Sequence, residues 1–497
     1  MTLRYPLGAL TGAVCLLSSG ALRAQIHDYD PLVPEVVLNT DFTQITPAQG
    51  LPYNVAGGVF VFRDVRIRQG VRVRGVGSNP MVWIVTGQFV VEGELSVDGG
   101  DGEKASLLQA ANIPALGGLG GAAGGRGGNG SPSAISRSVF GEDGFGPFTM
   151  AGVGGGGGRI ACLAGLMRGS GGGGGAFTTV GDPFYLTSAG PGTSFQQQLG
   201  IGGQGGLGVS GSANRSLLGG RAGLPPFNDS RDDNDFVGIG VDLSSGQPVF
   251  GELSFLQGGQ GGGGGGDMSF NANCSTNDPF FANDARGGGG GGGGGCLIIV
   301  AQGAIVIGPA GHITANGGDG GGGEQAGSSN QGGGGGGGSG GMLVLASRTA
   351  VALHVKGETY ANNDYDFSLS ADGGVCTTGS FGSPFIAGKY PPNGQPNSPA
   401  YGSYYDAAPL GGFGGMGVIE IVTPFGTNAD GTNTILDDGI LVVRNGNLVL
   451  GAEKQRFLGW RGYRNAQGIR VDDFGVPLPT GRTDGDIRPA PILLPLF

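Results

Sequence analysis

Gly93-Glu-Leu-Ser-Val-Asp-Gly-Gly-Asp-Gly102 recurs, position by position in residue class, as Gly311-His-Ile-Thr-Ala-Asn-Gly-Gly-Asp-Gly320. A shorter copy is Ser368-Leu-Ser-Ala-Asp-Gly-Gly374. The segments leading into the copies also match: Val82-Trp-Ile-Val-Thr-Gly-Gln-Phe-Val-Val91 resembles Ile298-Ile-Val-Ala-Gln-Gly-Ala-Ile-Val-Ile307. Met342-Leu-Val-Leu-Ala346 and Val418-Ile-Glu-Ile-Val422 look like further copies of the first strand. Each unit is two or three short apolar runs separated by Gly or a polar residue. Such a unit cannot bury its apolar face alone, so copies must stack.

The same period continues upstream. Val59 to Phe62 is a short apolar run, and Val65, Ile67, Val71 and Val73 alternate with arginines. A period of two with one apolar parity predicts half-buried strands. No stretch there has a helical period. Strands of three to five residues, joined by tight corners and repeated, predict an all-β chain built as a parallel β-helix-like solenoid. Long glycine-rich, polyglycine-II-like insertions interrupt it. The alternative is a β-sandwich with disordered Gly-rich loops.

Outward from the repeat, the chain divides into a signal peptide at 1–24, an N-terminal extended segment at 25–56 and first solenoid coils at 57–100. A glycine-rich insertion spans 101–295. Later coils with Gly-rich inserts span 296–450, and a C-terminal tail spans 451–497. The signal rests on Arg4, the apolar run Leu7 to Leu17, and Ala21 or Ala24 as cleavage points. That run is too short to span a bilayer, and no later segment reaches that length. Export to the medium or the cell surface is therefore expected.

Glycine dominates the composition, at 116 of 497 residues with 28 prolines. No triplet Gly-X-Y period runs through the chain, which excludes collagen. Glycine is clustered in runs such as 261–266, 287–295 and 332–338. Ordering nine glycines costs roughly 10–18 kcal/mol of backbone entropy. A net hydrogen bond returns only about 0.5–1.5 kcal/mol. One run alone should not order, but several side by side could exchange backbone hydrogen bonds. The competing expectation is a flexible linker. The runs abut strands directly and carry little charge, which favours packing.

The net charge is −11 and becomes −13 once Arg4 and Arg23 leave with the leader. That balance argues against nucleic acid or an anionic membrane as a partner. The exported chain keeps Cys162, Cys274, Cys296 and Cys376, an even count that permits two disulfides with three pairings. There is no C-x-x-C, and His27, His312 and His354 are scattered, so zinc or Ser-His-Asp chemistry is not indicated. No Gly run carries G-K-[ST], so a phosphate cradle is not indicated.

Two sets of residues are candidates for binding. Asp98, Asp101, Asp319 and Asp372 follow strands of the repeat and are weak candidates for Ca2+. The regular nonapeptide of calcium β-rolls is absent, so turn capping is the favoured role. Arg66, Arg68, Arg72 and Arg74 share one parity with Glu92 and Glu94 nearby, a possible glycan-binding face. Such charges also keep a sheet face soluble. No other cofactor is expected.

At Gly93–Gly102, Gly311–Gly320 and the junctions of Gly runs with strands, the chain resembles a loose family of secreted glycine-rich bacterial proteins. The resemblance covers most of 57–450. It implies a right-handed parallel β-helix-like solenoid, exported or surface-displayed, and transfers no catalytic residue. The Gly runs also resemble the glycine sandwiches of some phage tail-tip adhesins. The expected function is structural or adhesive and non-enzymatic, with surface glycan as a possible partner. The alternatives are a carbohydrate-active enzyme on a β-helix and a disordered extracellular matrix protein.

Overall fold

The computed structural model describes residues 27–105, 113–132, 140–150, 153–158, 171–177, 255–266, 286–324 and 332–353, with shorter stretches between and beyond them as far as 489. Residues 1–24 lie outside the described residues, as does most of 451–497. The chain is all-β; among the described residues the only helical element is a single 3-10 turn at Pro147–Thr149.

The segment 25–56 is more than extended chain. It supplies β1 (Glu35–Asn39) and an antiparallel hairpin of β2 (Phe42–Ile45) and β3 (Tyr53–Ala56). Rounds of three strands follow. The first is β4 (Val59–Phe62), β5 (Val65–Ile67) and β6 (Arg72–Val76). The second is β7 (Met81–Val85), β8 (Phe89–Val91) and β9 (Glu94–Ser96). The glycine-rich passage then holds two antiparallel pairs, β10 (Ile160–Leu163) with β11 (Leu166–Gly169) and β12 (Ile239–Asp242) with β13 (Pro248–Phe250). The rounds resume with β14 (Cys296–Ala301), β15 (Ile305–Ile307) and β16 (His312–Thr314). After them come β17 (Met342–Ser347), β18 (Val351–Leu353) and β19 (Leu369–Ser370), then β20 (Val418–Val422) and β21 (Ile435–Asp437).

The rounds sort into three five-stranded sheets, β20-β17-β14-β7-β4, β21-β18-β15-β8-β5 and β1-β6-β9-β16-β19. Every pairing in them is parallel. The antiparallel sandwich is thereby corrected: a strand that returns to the same sheet only after visiting two others pairs in parallel. The repeated decapeptides lie side by side, with Leu95 opposite Ile313 and Ser96 opposite Thr314.

Register turns the apolar parity into ladders. Phe60, Trp83, Ile299 and Leu345 are successive partners, as are Val65, Phe89, Ile305 and Val351. All eight are buried in one cluster. At its N-terminal end Trp83 is ringed by Tyr29, Phe60, Phe62 and Phe89 at centroid distances of 5.3–5.5 Å. Residues 27–30 are held on this end by ion pairs from Arg63 to Asp28 and from Arg68 to Asp30. The hydrogen bond from each arginine is the main reason that both carboxyls titrate below their ordinary value.

The first sheet departs from simple alternation. In β17 every residue from Met342 to Ser347 is buried. Its outer face carries Cys296, Ile298, Met342, Val344 and Val418, packed against Ala123, Phe177 and Leu253 of the glycine-rich passage. A parallel sheet covered on both faces reads as an unbroken apolar run.

The glycine segments bond to one another with a period of three. Gly288, Gly291 and Gly294 donate to Gly333, Gly336 and Ser339. Gly289, Gly292 and Gly295 donate to Glu103, Gly100 and Val97. Gly290, Gly293 and Cys296 donate to Gly128, Gly125 and Ala122. Carbonyls of the same run accept from three more segments, through Gly118 and Gly121, through Gly259, Gly262 and Gly265, and through Gly318 and Gly321. The run 288–295 is thus surrounded by six others. Side chains have no room there: a methyl group on Gly291 would lie within 3.0 Å of the Gly318 carbonyl oxygen, closer than real Cβ atoms come.

Candidate binding surface

Peripheral segments of this glycine array need glycine only on their inner sides. From 113 to 129 the chain reads Ile113, Leu116, Leu119, Ala122, then Ala123, Arg126 and Asn129, with glycine filling most positions between. Ile113, Leu116 and Leu119 are exposed, forming an apolar row with one side chain every third residue. This local triplet is a signal that a search for a chain-wide Gly-X-Y period passes over. The next row is polar. Arg126 pairs with Glu142 at 2.7 Å and lies 3.8 Å over the Phe145 ring, while Asn129 Oδ1 accepts from Gly117 N at 2.9 Å. Such side chains complete the hydrogen bonding of the array's rim.

Direction matters as much as spacing. Val97, Gly295, Ala315, Gly341, Ala371 and Gly417 adjoin sheet strands and mark the near end of the array. Against 288–295, partner numbers rise along 333–339 and fall along 97–103, 122–128 and 259–265. Segments leaving the sheets therefore run outward and those entering them run inward. The described outward segments that end at 105, 132, 266, 324 and 374 and the inward ones that begin at 113, 140, 286, 332 and 411 therefore have those ends at the far end.

The expected site residues fall elsewhere. Arg66 and Arg68 belong to the corner of the second sheet, and Arg72 and Arg74 to the outer face of the third. Three are neutralised: Arg66 by Glu92 at 2.8 Å, Arg68 by Asp30 at 2.6 Å and Arg72 by Glu94 at 2.9 Å. They do not form one basic patch. Sequence parity placed the arginines outward but could not see their acidic partners on the neighbouring round.

The aspartates serve the backbone. Asp98 accepts from Thr314 Oγ1 at 2.9 Å and from Asn316 N, and Asp101 accepts from Asp319 N at 2.8 Å. Each carboxylate reaches the equivalent turn of the next round. Asp372 lies outside the described residues. No group of three potential metal-ligating side chains occurs among the described residues. Burial is the largest influence on Asp98 and raises its pKa, against those hydrogen bonds. A raised folded pKa means stability is fully present below the unfolded pKa and declines as pH rises through the folded one. Asn occupies the equivalent position 316. Asp98→Asn is therefore expected to fold, to equal or exceed the wild-type unfolding midpoint at pH 7, and to lose that advantage at pH 3. A lower midpoint at pH 7 would show that the charged form is needed.

Cys296 corrects the two-disulfide expectation. It is a free, buried thiol on the outer face of the first sheet, and burial pushes its pKa up. Cys162 lies in β10, and Cys274 and Cys376 lie outside the described residues. No helix among the described residues is long and apolar enough to cross a membrane. No protein-family model, curated protein or solved structure matches the chain.

Proposed function

We propose that this chain is an exported or cell-surface structural and adhesive protein, without enzymatic activity. In this reading the sheets form a right-handed parallel β-helix-like solenoid and the glycine array is a polyglycine-II-like lattice. The constant order in which the chain visits three parallel sheets supports the solenoid. The three-residue bonding period supports the lattice, since such helices have three residues per turn. The sequence pattern of Arg4, the apolar run Leu7 to Leu17, and Ala21 or Ala24 supports export.

The observation that carries adhesion is the common far end of the outward and inward glycine segments. The array gathers the far ends of several outward and inward glycine segments around a centre that has no room for side chains. Between such ends the sequence carries, at 267–285 and 375–410, Phe270, Phe280, Phe281, Asn271 and Asn273, and Tyr390, Tyr401, Tyr404 and Tyr405. Aromatic and amide side chains are the composition of adaptable binding loops.

Purified mature protein is expected to be retained on a glycan array without releasing reducing ends. Replacing 267–285 by a Gly-Ser linker of equal length should abolish retention and leave the unfolding midpoint unchanged. Release of reducing ends would favour the carbohydrate-active enzyme instead, and undiminished retention by the replaced variant would remove the far-end reading.

A further inference from the structure

Phe148 stands in the left-handed region, at φ 59° and ψ 31°. That conformation is unfavourable for a residue with a side chain, whereas glycine adopts it freely. A chain with 116 glycines nonetheless places a phenylalanine there, and its ring is exposed. Backbone strain of this kind persists where the strained residue has a use. The Phe148 ring meets that of Phe255 at 6.3 Å and 50°. Phe255 is exposed too, as are Phe250 and Met150, the residue that closes the Phe148 turn by donating to Pro147 O. These residues lie at the near end of the glycine array. Gly144 and Gly155, on either side of the turn, are bonded to each other, and Gly259, four residues past Phe255, donates to Gly294. Single exposed apolar residues are ordinary, but several together mark a surface with a partner.

The small sheet of β12 and β13 indicates which partner. A strand at Ile487–Pro489 pairs with β12 on the side opposite β13. β12 is antiparallel to both, so Ile487–Pro489 and β13 run in the same direction. Pro489 and Val249 are both partners of Gly240, so the chain leaves the two strands level with each other. Two strand spacings, about 10 Å, separate the exits. On one side five residues lead from Phe250 to Phe255. On the other, Ala490-Pro-Ile-Leu-Leu-Pro-Leu-Phe497 follows, outside the described residues. Eight residues can span about 26 Å, farther than the five from Phe250 to Phe255. None of the eight is charged or has a polar side chain. Pro491 and Pro495 lack an N–H, so the segment is a poor ladder strand but a suitable apolar cover. Phe250, 66% exposed, stands at the exit.

We propose that residues 490–497 dock on Phe148, Met150, Phe250 and Phe255 as an apolar strap at the near end of the glycine array. Pairing of Ile487–Pro489 with β12 holds the segment beside the patch, which gives it a high effective concentration that a separate molecule lacks. The strap ties the β12–β13 sheet to the turn at Pro147–Thr149 and supplies the contact for which the Phe148 ring is held out. It depends neither on adhesion nor on the far end of the array.

The test uses a labelled peptide of sequence 490–497 and the mature chain ended at Pro489. The peptide should bind that chain, read by fluorescence anisotropy, and should not bind the full chain, whose patch is already filled. Phe148→Gly suits the left-handed turn and removes only the ring. In the shortened chain it should weaken peptide binding at least about tenfold, as should Phe255→Ser, since burying an aromatic ring is worth at least that factor. If the shortened chain does not fold, the full chain carrying Leu493→Ser, Leu494→Ser and Phe497→Ser takes its place and should bind the peptide. No binding to either altered chain, equal binding to the unaltered one, or binding unchanged by Phe148→Gly and Phe255→Ser would overturn the proposal. A full-length dimer that Phe255→Ser converts to monomer, seen by light scattering, would overturn it as well, by assigning the patch to a second copy.

Discussion

Gly291→Ala is expected to destabilise the mature protein by roughly 3 kcal/mol, through steric overlap and lost hydrogen bonds together. Gly291 N donates to Gly336 O, and Gly262 N donates to Gly291 O, both at 2.8 Å. A methyl group would meet the Gly318 carbonyl oxygen, which is backbone and cannot rotate aside. The segment would have to move, and it cannot move away from one neighbour without pressing on another. The effect should therefore spread to amides of the surrounding glycine segments, visible as faster hydrogen exchange. Gly308→Ala is the control. Its added carbon would come no nearer than 3.5 Å to Glu92 Cγ, and its amide bond to Val91 O would survive. A shift within about 0.5 kcal/mol is expected there. Urea midpoints for the two variants decide the matter. If Gly291→Ala unfolds like wild type, the central run is not packed.

The second large effect concerns the one ion pair buried deep in the described array. Arg286 Nε lies 3.0 Å from Glu324 Oε2, with the two side chains 3% and 4% exposed. The same carboxylate accepts from Arg286 N, and Glu324 N donates to Arg286 O at 2.8 Å. Arg286→Met should cost about 3–5 kcal/mol, because Glu324 would stay buried without its counter-charge. Adding Glu324→Leu should recover most of that loss, since replacing both partners by apolar groups is often near neutral. A double-mutant cycle on unfolding midpoints should give a coupling of at least about 3 kcal/mol, because either single change strands a buried charge. Additive losses would show that the two side chains act independently.

Much of the sheet architecture was legible because repetition and pairing coincide. The Gly93 and Gly311 decapeptides match as strings and pair as strands, so their likeness predicts their register. The alternation of Val65, Ile67 and Val73 with arginines likewise gave the inner face. Other features depended on contacts between distant residues. Cys296-Leu-Ile-Ile-Val-Ala301 has no polar parity, which signals a strand covered on both faces, but its cover comes from Ala123, Phe177 and Leu253. The partners of Arg66, Arg68 and Arg72 are likewise set by stacking between rounds and by the docked N-terminal segment. The triplet from Ile113 to Asn129 was visible in the string; it extends over too few residues to register as a chain-wide period. Cys296 shows the limit of counting. An even number of thiols says nothing about whether one faces a sulfur or a layer of apolar side chains.

The central run 288–295 has a further consequence, for the order of events during folding. Its six neighbours come from both sides of it in the chain, and two of them, 315–324 and 332–341, are synthesised after it. Every one of its bonds joins residues far apart in sequence, with partners from Val97 to Met342. Local nucleation cannot reward such a segment, because loop closure precedes most of the gain. The early rounds β4 to β9 can form from near neighbours. The central run can be enclosed only when Gly341 is in place, and the array is completed later still by 411–417.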